Sequence, residues 1–176
     1  MTATRIYRWV RQVLGGFLVR ALEPLLYWLA FVWRRTLLNT KFILITGSLG
    51  KTTSKEYLGQ ILAKRHPTFR SLRNQNARSL LSLNILRVKP WHRFAVIEAA
   101  TSRPGNMVKS ARLLRPDVAV VLTVAGTHLR SFNSLDEIAE EKLSALEGLT
   151  KGGTAIINAD EERLAVIESN DVFKVL

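Results

Sequence analysis

The chain has 176 residues, 47% of them hydrophobic and 23% charged, which supports a domain with a real core and excludes a disordered chain. It has no cysteine, which excludes disulfides, thiolate metal sites and cysteine nucleophiles. Its net charge of +12 and pI near 10.7 favour anionic partners: nucleotides, phospholipid headgroups, nucleic acid or anionic cell-wall precursors.

Residues 1–40 read as an apolar, basic helical segment distinct from a domain over 41–176. Arg5, Arg8 and Arg11 lead into the apolar stretch Val13–Trp33, and Arg34-Arg35 closes it. The stretch has the length of a bilayer span, but Arg20 and Glu23 fall near its middle, where charge is costly. Pro24–Trp33, the longest uninterrupted apolar run, is too short to span. Basic flanks with Trp9, Tyr27, Trp28 and Trp33 near the ends suit one helix, or two broken at Pro24, lying in the headgroup region as a membrane anchor. A single span and a helix packed on its own domain stay open. A signal peptide fits less well, because no small-residue cleavage site follows cleanly.

From Lys41 onward, strands and helices alternate. Phe42–Thr46 is a short β-rich run, and Lys51–Lys64 reads as a helix with Tyr57, Leu58, Ile61 and Leu62 on its apolar face. Phe94–Glu98 and Val118–Val124 read as buried strands. Leu135–Leu149 reads as a helix striped by Leu135, Ile138, Ala139, Leu143 and Leu146. Thr154–Asn158 is a further strand, Glu161–Ser169 a short helix, and Val172–Leu176 opens a fifth strand. Continuously apolar strands separated by helices imply an α/β fold with a mostly parallel sheet covered on both faces.

The segment Gly47-Ser48-Leu49-Gly50-Lys51-Thr52-Thr53 lies between the first strand and the first helix of that domain. This strand–turn–helix arrangement aims backbone N–H groups and the positive helix terminus at an anion, as in P-loop NTPases. Gly47 and Gly50 permit the tight turn. Lys51 is placed for the β- and γ-phosphates of ATP, and the Thr52 hydroxyl for a Mg²⁺ ion. The glycines are two residues closer than in the commonest form of this motif. Glu98 ends a strand on the side where open α/β sheets bind ligands, and can hold Mg²⁺ between phosphates. His128 follows the third predicted strand into the same crevice. Lys142 by itself is an ordinary solvated helix lysine. Asn158 and Asp160 lie near the nucleotide, although Asp160 can equally cap the helix after it.

This short loop, as Ile45-Thr46-Gly47-Ser48-Leu49-Gly50-Lys51-Thr52-Thr53, resembles that of the Mur ligases, which use ATP to join an amino acid or peptide to a carboxylate in peptidoglycan precursor synthesis. Asn74-Gln75-Asn76, Ala95-Val96-Ile97-Glu98, Arg103-Pro104-Gly105, Arg115-Pro116-Asp117, Thr127-His128-Leu129, Lys142 and Asn158-Ala159-Asp160 follow the family's motifs in order. The resemblance covers about residues 42–176, and within the family it is nearest to the members that add D-alanyl-D-alanine to a UDP-linked tripeptide. It implies an acyl-phosphate mechanism with ATP and Mg²⁺. A second Mg²⁺ would lie near His128 and a carbamylated Lys142, and Lys51, His128 and Lys142 would serve catalysis. It further implies a UDP-linked muropeptide as carboxylate acceptor and a cytoplasmic location, to which the reading of residues 1–40 adds attachment to the inner face of the membrane.

The pattern departs from the family at Leu80-Leu81-Ser82, where relatives have Gly-x-Pro, and at Thr123, where they often have Asn. The family's UDP-holding N-terminal domain has no counterpart in residues 1–40. The rest of the central domain and the amine-carrying C-terminal domain would follow Leu176, so the chain reads as a C-terminally truncated ligase. The competing readings are a non-catalytic nucleotide-binding module and a ligase of polyglutamate, cyanophycin or folate type. Nucleic-acid binding through Arg65, Arg70, Arg73, Arg78, Arg87, Lys89 and Arg93 is disfavoured, since no recognised motif accompanies the charge.

Overall fold

The computed structural model describes residues 22–72, 78–101, 103–126, 131–167 and 173–175. After helix α1 (22–36) the elements run β1 (Lys41–Thr46), α2 (Lys51–Ala63), β2 (Thr68–Arg70), α3 (Arg78–Arg87), β3 (Phe94–Glu98), α4 (Asn106–Leu114), β4 (Val118–Val121), α5 (Leu135–Leu143) with a 3₁₀ turn Ser144–Gly148, β5 (Gly153–Ile157) and β6 (Phe173–Val175). Six parallel strands form one sheet in the order β2-β3-β1-β4-β5-β6. The connection after β1 runs toward one edge and that after β4 toward the other. The crevice between the carboxyl ends of these neighbours is therefore the switch point at which such sheets bind ligands.

Strand β1 is apolar at successive positions because both of its faces are covered. Phe42 and Leu44 join Ala95 and Ile97 of β3 in a core with α1, α3 and α4, while Ile43, Ile45 and Val96 face Leu58 and Leu62 of α2. Tyr57 and Ile61, expected on the buried side of α2, are instead exposed, and Lys55 and Gly59 take that side. The helix sits close over β2, and a Cβ on Gly59 would collide with Arg70.

The sequence reading missed β2, α3 and α4. Strand β4 ends at Val121 rather than Val124, because the chain beyond it turns to hold the glycine loop: Ser48 N–H donates to Thr123 O. The predicted helix Leu135–Leu149 divides into α5 and the 3₁₀ turn. There Gly148 lies so close to Ala111 that an added Cβ would stand 2.3 Å from its carbonyl. Residues 162–166 form turns, not the predicted helix.

The second half of the N-terminal segment is built into this fold. Ala30 and Leu37 are buried in the main core. The Trp33 indole N–H donates to Val88 O at 2.9 Å. Arg34, 8% exposed, stacks 3.9 Å from the Phe42 ring, donates to Leu114 O at 2.6 Å and Arg115 O at 2.7 Å, and lies 3.8 Å from Asp117. It thus supplies the cation for the carboxyl end of α4. Burial pulls Arg34 down to about 10 against the attraction of Asp117, so it remains charged at neutral pH. Among the described residues no helix is long and apolar enough to cross a membrane. Residues 1–21 of the predicted anchor lie outside the described residues.

Arg34→Ala strands the Leu114 and Arg115 carbonyls and removes a partner of Asp117, so it should lower unfolding stability by about 2–4 kcal/mol. Arg34→Lys should recover little, because one ammonium cannot replace the two-pronged contact. Urea denaturation measures both, and a loss below about 0.5 kcal/mol would show that α1 is not integral to the domain.

Candidate functional site at the carboxyl end of the sheet

The loop after β1 is shaped by two glycines. Gly47 has φ 152°, and a Cβ there would stand 2.9 Å from Leu122 Cβ; Gly50, at φ 80°, forms the N-terminal boundary of α2. No side chain caps this helix start, and its first turn holds no acid, which leaves the helix dipole to an external anion. The segment 122–125 grips the loop from β4. Ser48 N–H donates to Thr123 O at 2.8 Å, Leu49 N–H to Thr123 Oγ1 at 3.1 Å, and Ala125 N–H to Ser48 Oγ at 2.8 Å.

The Lys51 ammonium folds back onto its own loop, 2.7 Å from Gly47 O and 3.0 Å from Ser48 O. Burial lowers its pKa, opposed by the charge of Glu98. The Thr52 hydroxyl donates to Glu98 Oε2 at 2.9 Å, and Glu98 is 8% exposed at the end of β3. Two oxygen donors from different elements therefore meet beside the lysine, an arrangement suited to a hard cation. Thr53 is exposed on the outer side of the helix start.

Lys142 is not the solvated lysine that the sequence alone suggests. It is 5% exposed, and its pKa is lowered to about 8 by burial, then by the field of Lys51, with Glu141 opposing. Glu141 was not singled out from the sequence. It is 7% exposed and accepts the N–H groups of Gly105, Asn106 and Met107 at 2.7, 3.1 and 2.8 Å. It thereby caps α4, whose boundary residue Gly105 has no side chain to do so, and fixes the helix that carries Lys142. A glutamate within the acidic run Glu140-Glu141 gives no local signal, because its partners lie 34–36 residues away.

A groove of about 450 Å³ opens beside the loop, lined by Leu49, Gly50, Ser54, Leu122, Thr123, Ile156 and Asn158 among others. Asn158 Oδ1 accepts from Asp160 N–H at 3.2 Å, so these two form a local turn at the rim. Asp160 itself is exposed, does not line the groove, and is followed among the described residues by turns rather than a helix to cap. His128 and the segment Asn74-Gln75-Asn76 lie outside the described residues. Among those described, no cluster of three or more His, Cys, Asp or Glu is placed to hold a metal.

The sequence pattern that defines the Mur ligase middle domain matches residues 45–175. The UDP-N-acetylmuramoyl-tripeptide–D-alanyl-D-alanine ligase of Haemophilus influenzae is 35% identical over 138 residues, covering 76% of this chain and 30% of that protein. Its Escherichia coli counterpart is 34% identical over 128 residues, covering 73% and 28%. The crystal structure of MurF ligase from Thermotoga maritima in complex with ADP superposes with a TM-score of 0.79 at 30% identity, covering 88% of this chain and 36% of that one. MurF from Acinetobacter baumannii gives 0.79 at 26% identity, covering 88% and 34%. The chain thus spans about a third of the length of the relatives it matches.

The Lys142 environment sets a pH dependence. The folded chain releases the Lys142 proton near 8 and the unfolded chain near 10.5, so between these values the unfolded state binds more protons and stability rises with pH. Lys142→Met should flatten that rise by at most about 3 kcal/mol. Urea denaturation at intervals from pH 7 to 10.5 measures it, and identical profiles for the two proteins would contradict the burial of this amine.

Proposed function

This chain belongs to the Mur ligase family, and on that premise we propose that it holds and activates ATP for an amide-bond-forming ligase of cell-envelope synthesis. The observation that carries the reading is the convergence of Lys51, the Thr52–Glu98 pair and the buried Lys142 at the open N-terminus of α2.

In this reading the phosphates sit in the Gly47–Thr53 loop at the start of α2, where the helix N-terminus faces them, while Ser48 and Leu49 N–H hold the loop to Thr123. Lys51 turns from Gly47 O and Ser48 O toward the β- and γ-phosphates. The groove beside Leu122, Thr123 and Asn158 takes the nucleoside. Thr52 and Glu98 fit Mg²⁺ because both offer hard oxygens 2.9 Å apart. When bound, that ion neutralises phosphate charge. The acceptor carboxylate attacks the γ-phosphorus and ADP leaves, giving an acyl phosphate. An amine then adds to the acyl carbon and loses a proton, and expulsion of phosphate leaves the amide. The protein's part is alignment and charge neutralisation. The acceptor proposed is a UDP-linked muropeptide, as the names of the relatives suggest, and the amine is assigned to residues outside this chain. His128 is proposed for a second Mg²⁺.

Lys142 is proposed to be carbamylated: its neutral amine adds to CO₂, releases a proton and becomes a carboxylate on a short arm. A buried lysine with a pKa near 8 supports this, since the amine must be neutral to react. A non-catalytic nucleotide module would have no use for such a buried amine beside the phosphate lysine. The location proposed is cytoplasmic, with the N-terminal segment at the inner membrane surface. That part rests on Arg5, Arg8 and Arg11 and on the exposed Leu25, Trp28, Leu29 and Val32 of α1.

Calorimetric titration of ATP with Mg²⁺ tests the core of the proposal. Lys51→Ala should weaken binding at least tenfold, and equal affinities would reject the phosphate-loop assignment. Glu98→Gln should abolish the benefit of Mg²⁺ while ATP still binds without it. Carbon-13 NMR in labelled bicarbonate should show a carbamate resonance that is missing in Lys142→Arg; the same signal in both proteins would reject Lys142 as its site.

A further inference from the structure

We propose that the end of the sheet opposite the phosphate loop is a lipid-contact surface, which lays this domain on an anionic bilayer with its nucleotide site facing away. The inference rests on the reading that the N-terminal segment meets a membrane and assigns the surface of the folded domain that meets it.

Because the strands are parallel, the connections entering β1, β2 and β3 share one end. Lys41 and Thr68 both register with Phe94. Backbone bonds join the connections into one surface: Lys41 N–H donates to Arg93 O at 2.9 Å and Arg93 N–H to Pro67 O at 2.7 Å, while Thr40 Oγ1 donates to His92 O at 2.7 Å. The glycine loop and Glu98 lie at the other end, about 17 Å away along β1.

The exposed residues of this end are of two kinds. Leu38 is 85% exposed and Trp91 69%, both unusual for large apolar side chains. Around them Lys64, Arg65, Lys89 and Arg93 are exposed. Trp91 is not a loose tip, since its ring lies 6.2 Å from that of His92, which in turn lies 5.8 Å from Phe69. The sequence keeps acid away from this surface: no Asp or Glu occurs between Tyr57 and Ile97. Asp117, just before β4 at the same end, is engaged by Lys41 at 3.0 Å and by Arg34.

Helix α1 joins the same region through the bond from Trp33 to Val88 O, and its outer side presents Leu25, Trp28, Leu29 and Val32 to solvent. Cationic heads on long stems, an indole held outward and an adjoining apolar helix side are what a headgroup region accepts together. Each Lys or Arg near an anionic surface adds attraction that salt weakens. A nucleic acid would use the cations and Trp91 but leave the helix side in water. A protein interface would not gather lysines at its centre.

The test is co-sedimentation of the full chain with phosphatidylcholine vesicles, with and without 30% phosphatidylglycerol. The triple variant Lys89→Glu, Trp91→Ala, Arg93→Glu is compared with a second, Arg5→Glu, Arg8→Glu, Arg11→Glu. ATP binding and thermal unfolding serve as folding controls, and they keep this proposal separable from the ATP reading. The expected result is binding to the anionic vesicles that weakens at least tenfold in the first variant while ATP affinity is unchanged. First-variant binding equal to the unaltered chain, with loss in the second, would overturn the surface assignment and leave the N-terminal anchor standing. No vesicle binding by the unaltered chain would overturn both. Binding of a single-stranded oligonucleotide that needs Lys89 and Arg93, without vesicle binding, would reassign the surface to nucleic acid.

Discussion

The grip of the 122–125 segment on the glycine loop is the contact on which the rest of the site depends. A loop that presents a helix start to an anion has to be held from elsewhere, and here the Ser48 and Leu49 N–H groups are used for that hold. Thr123 does this with both its carbonyl and its hydroxyl, and Ser48 completes the joint with Ala125. The joint forms only if β4 lies next to β1, and that requires the β3–α4–β4 crossover to carry the chain across β1. Gly47 follows from the same closeness, because Leu122 leaves no room for a Cβ. Sheet order, loop shape and helix exposure thus have one cause.

The phosphate loop and the strands around it were legible in the sequence because their signals are local. Phe42–Thr46 and Phe94–Glu98 are continuous apolar runs, and glycine, lysine and threonine stand together at the turn between strand and helix. Glu98 could be placed because it ends such a run. The elements that went unread lack this kind of signal. Helix α3 places Ser82 and Asn84 on buried positions, so its apolar residues show no helical period. Strand β2 is three half-buried residues, defined only by its pairing with β3. Lys142 and Glu141 illustrate the limit most clearly. Adjacent in sequence and both charged, they look like an exposed helix side, yet both are buried: Glu141 caps α4, and Lys142 is enclosed where burial and the like charge of Lys51 disfavour its proton.

The N-terminal segment shows how a composition boundary and a packing boundary can disagree. Hydropathy separates residues 1–40 from the remainder, and the basic flanks suggest a membrane. Packing divides the chain elsewhere: Ala30, Trp33, Arg34 and Leu37 belong to the α/β core, so α1 is one more helix on the sheet. Arg34 decides the matter physically. A guanidinium placed over Phe42 and between two carbonyls cannot leave without exposing all of them. What remains unusual is the outward side of α1, and its apolar character is separate from the contacts that hold the helix.

The central position of β1 also governs how the chain can assemble. Ile43 pairs with Val96 on one side and Val118 on the other, so the strand that starts the domain is bordered by strands made much later. Until synthesis passes Glu98, Phe42–Ile45 has no strand partner, and its second edge stays open to other chains until Val121 is made. Non-local pairing of this kind slows folding. A nascent chain of this topology is therefore most vulnerable to misassociation while its first strand waits for its last neighbour.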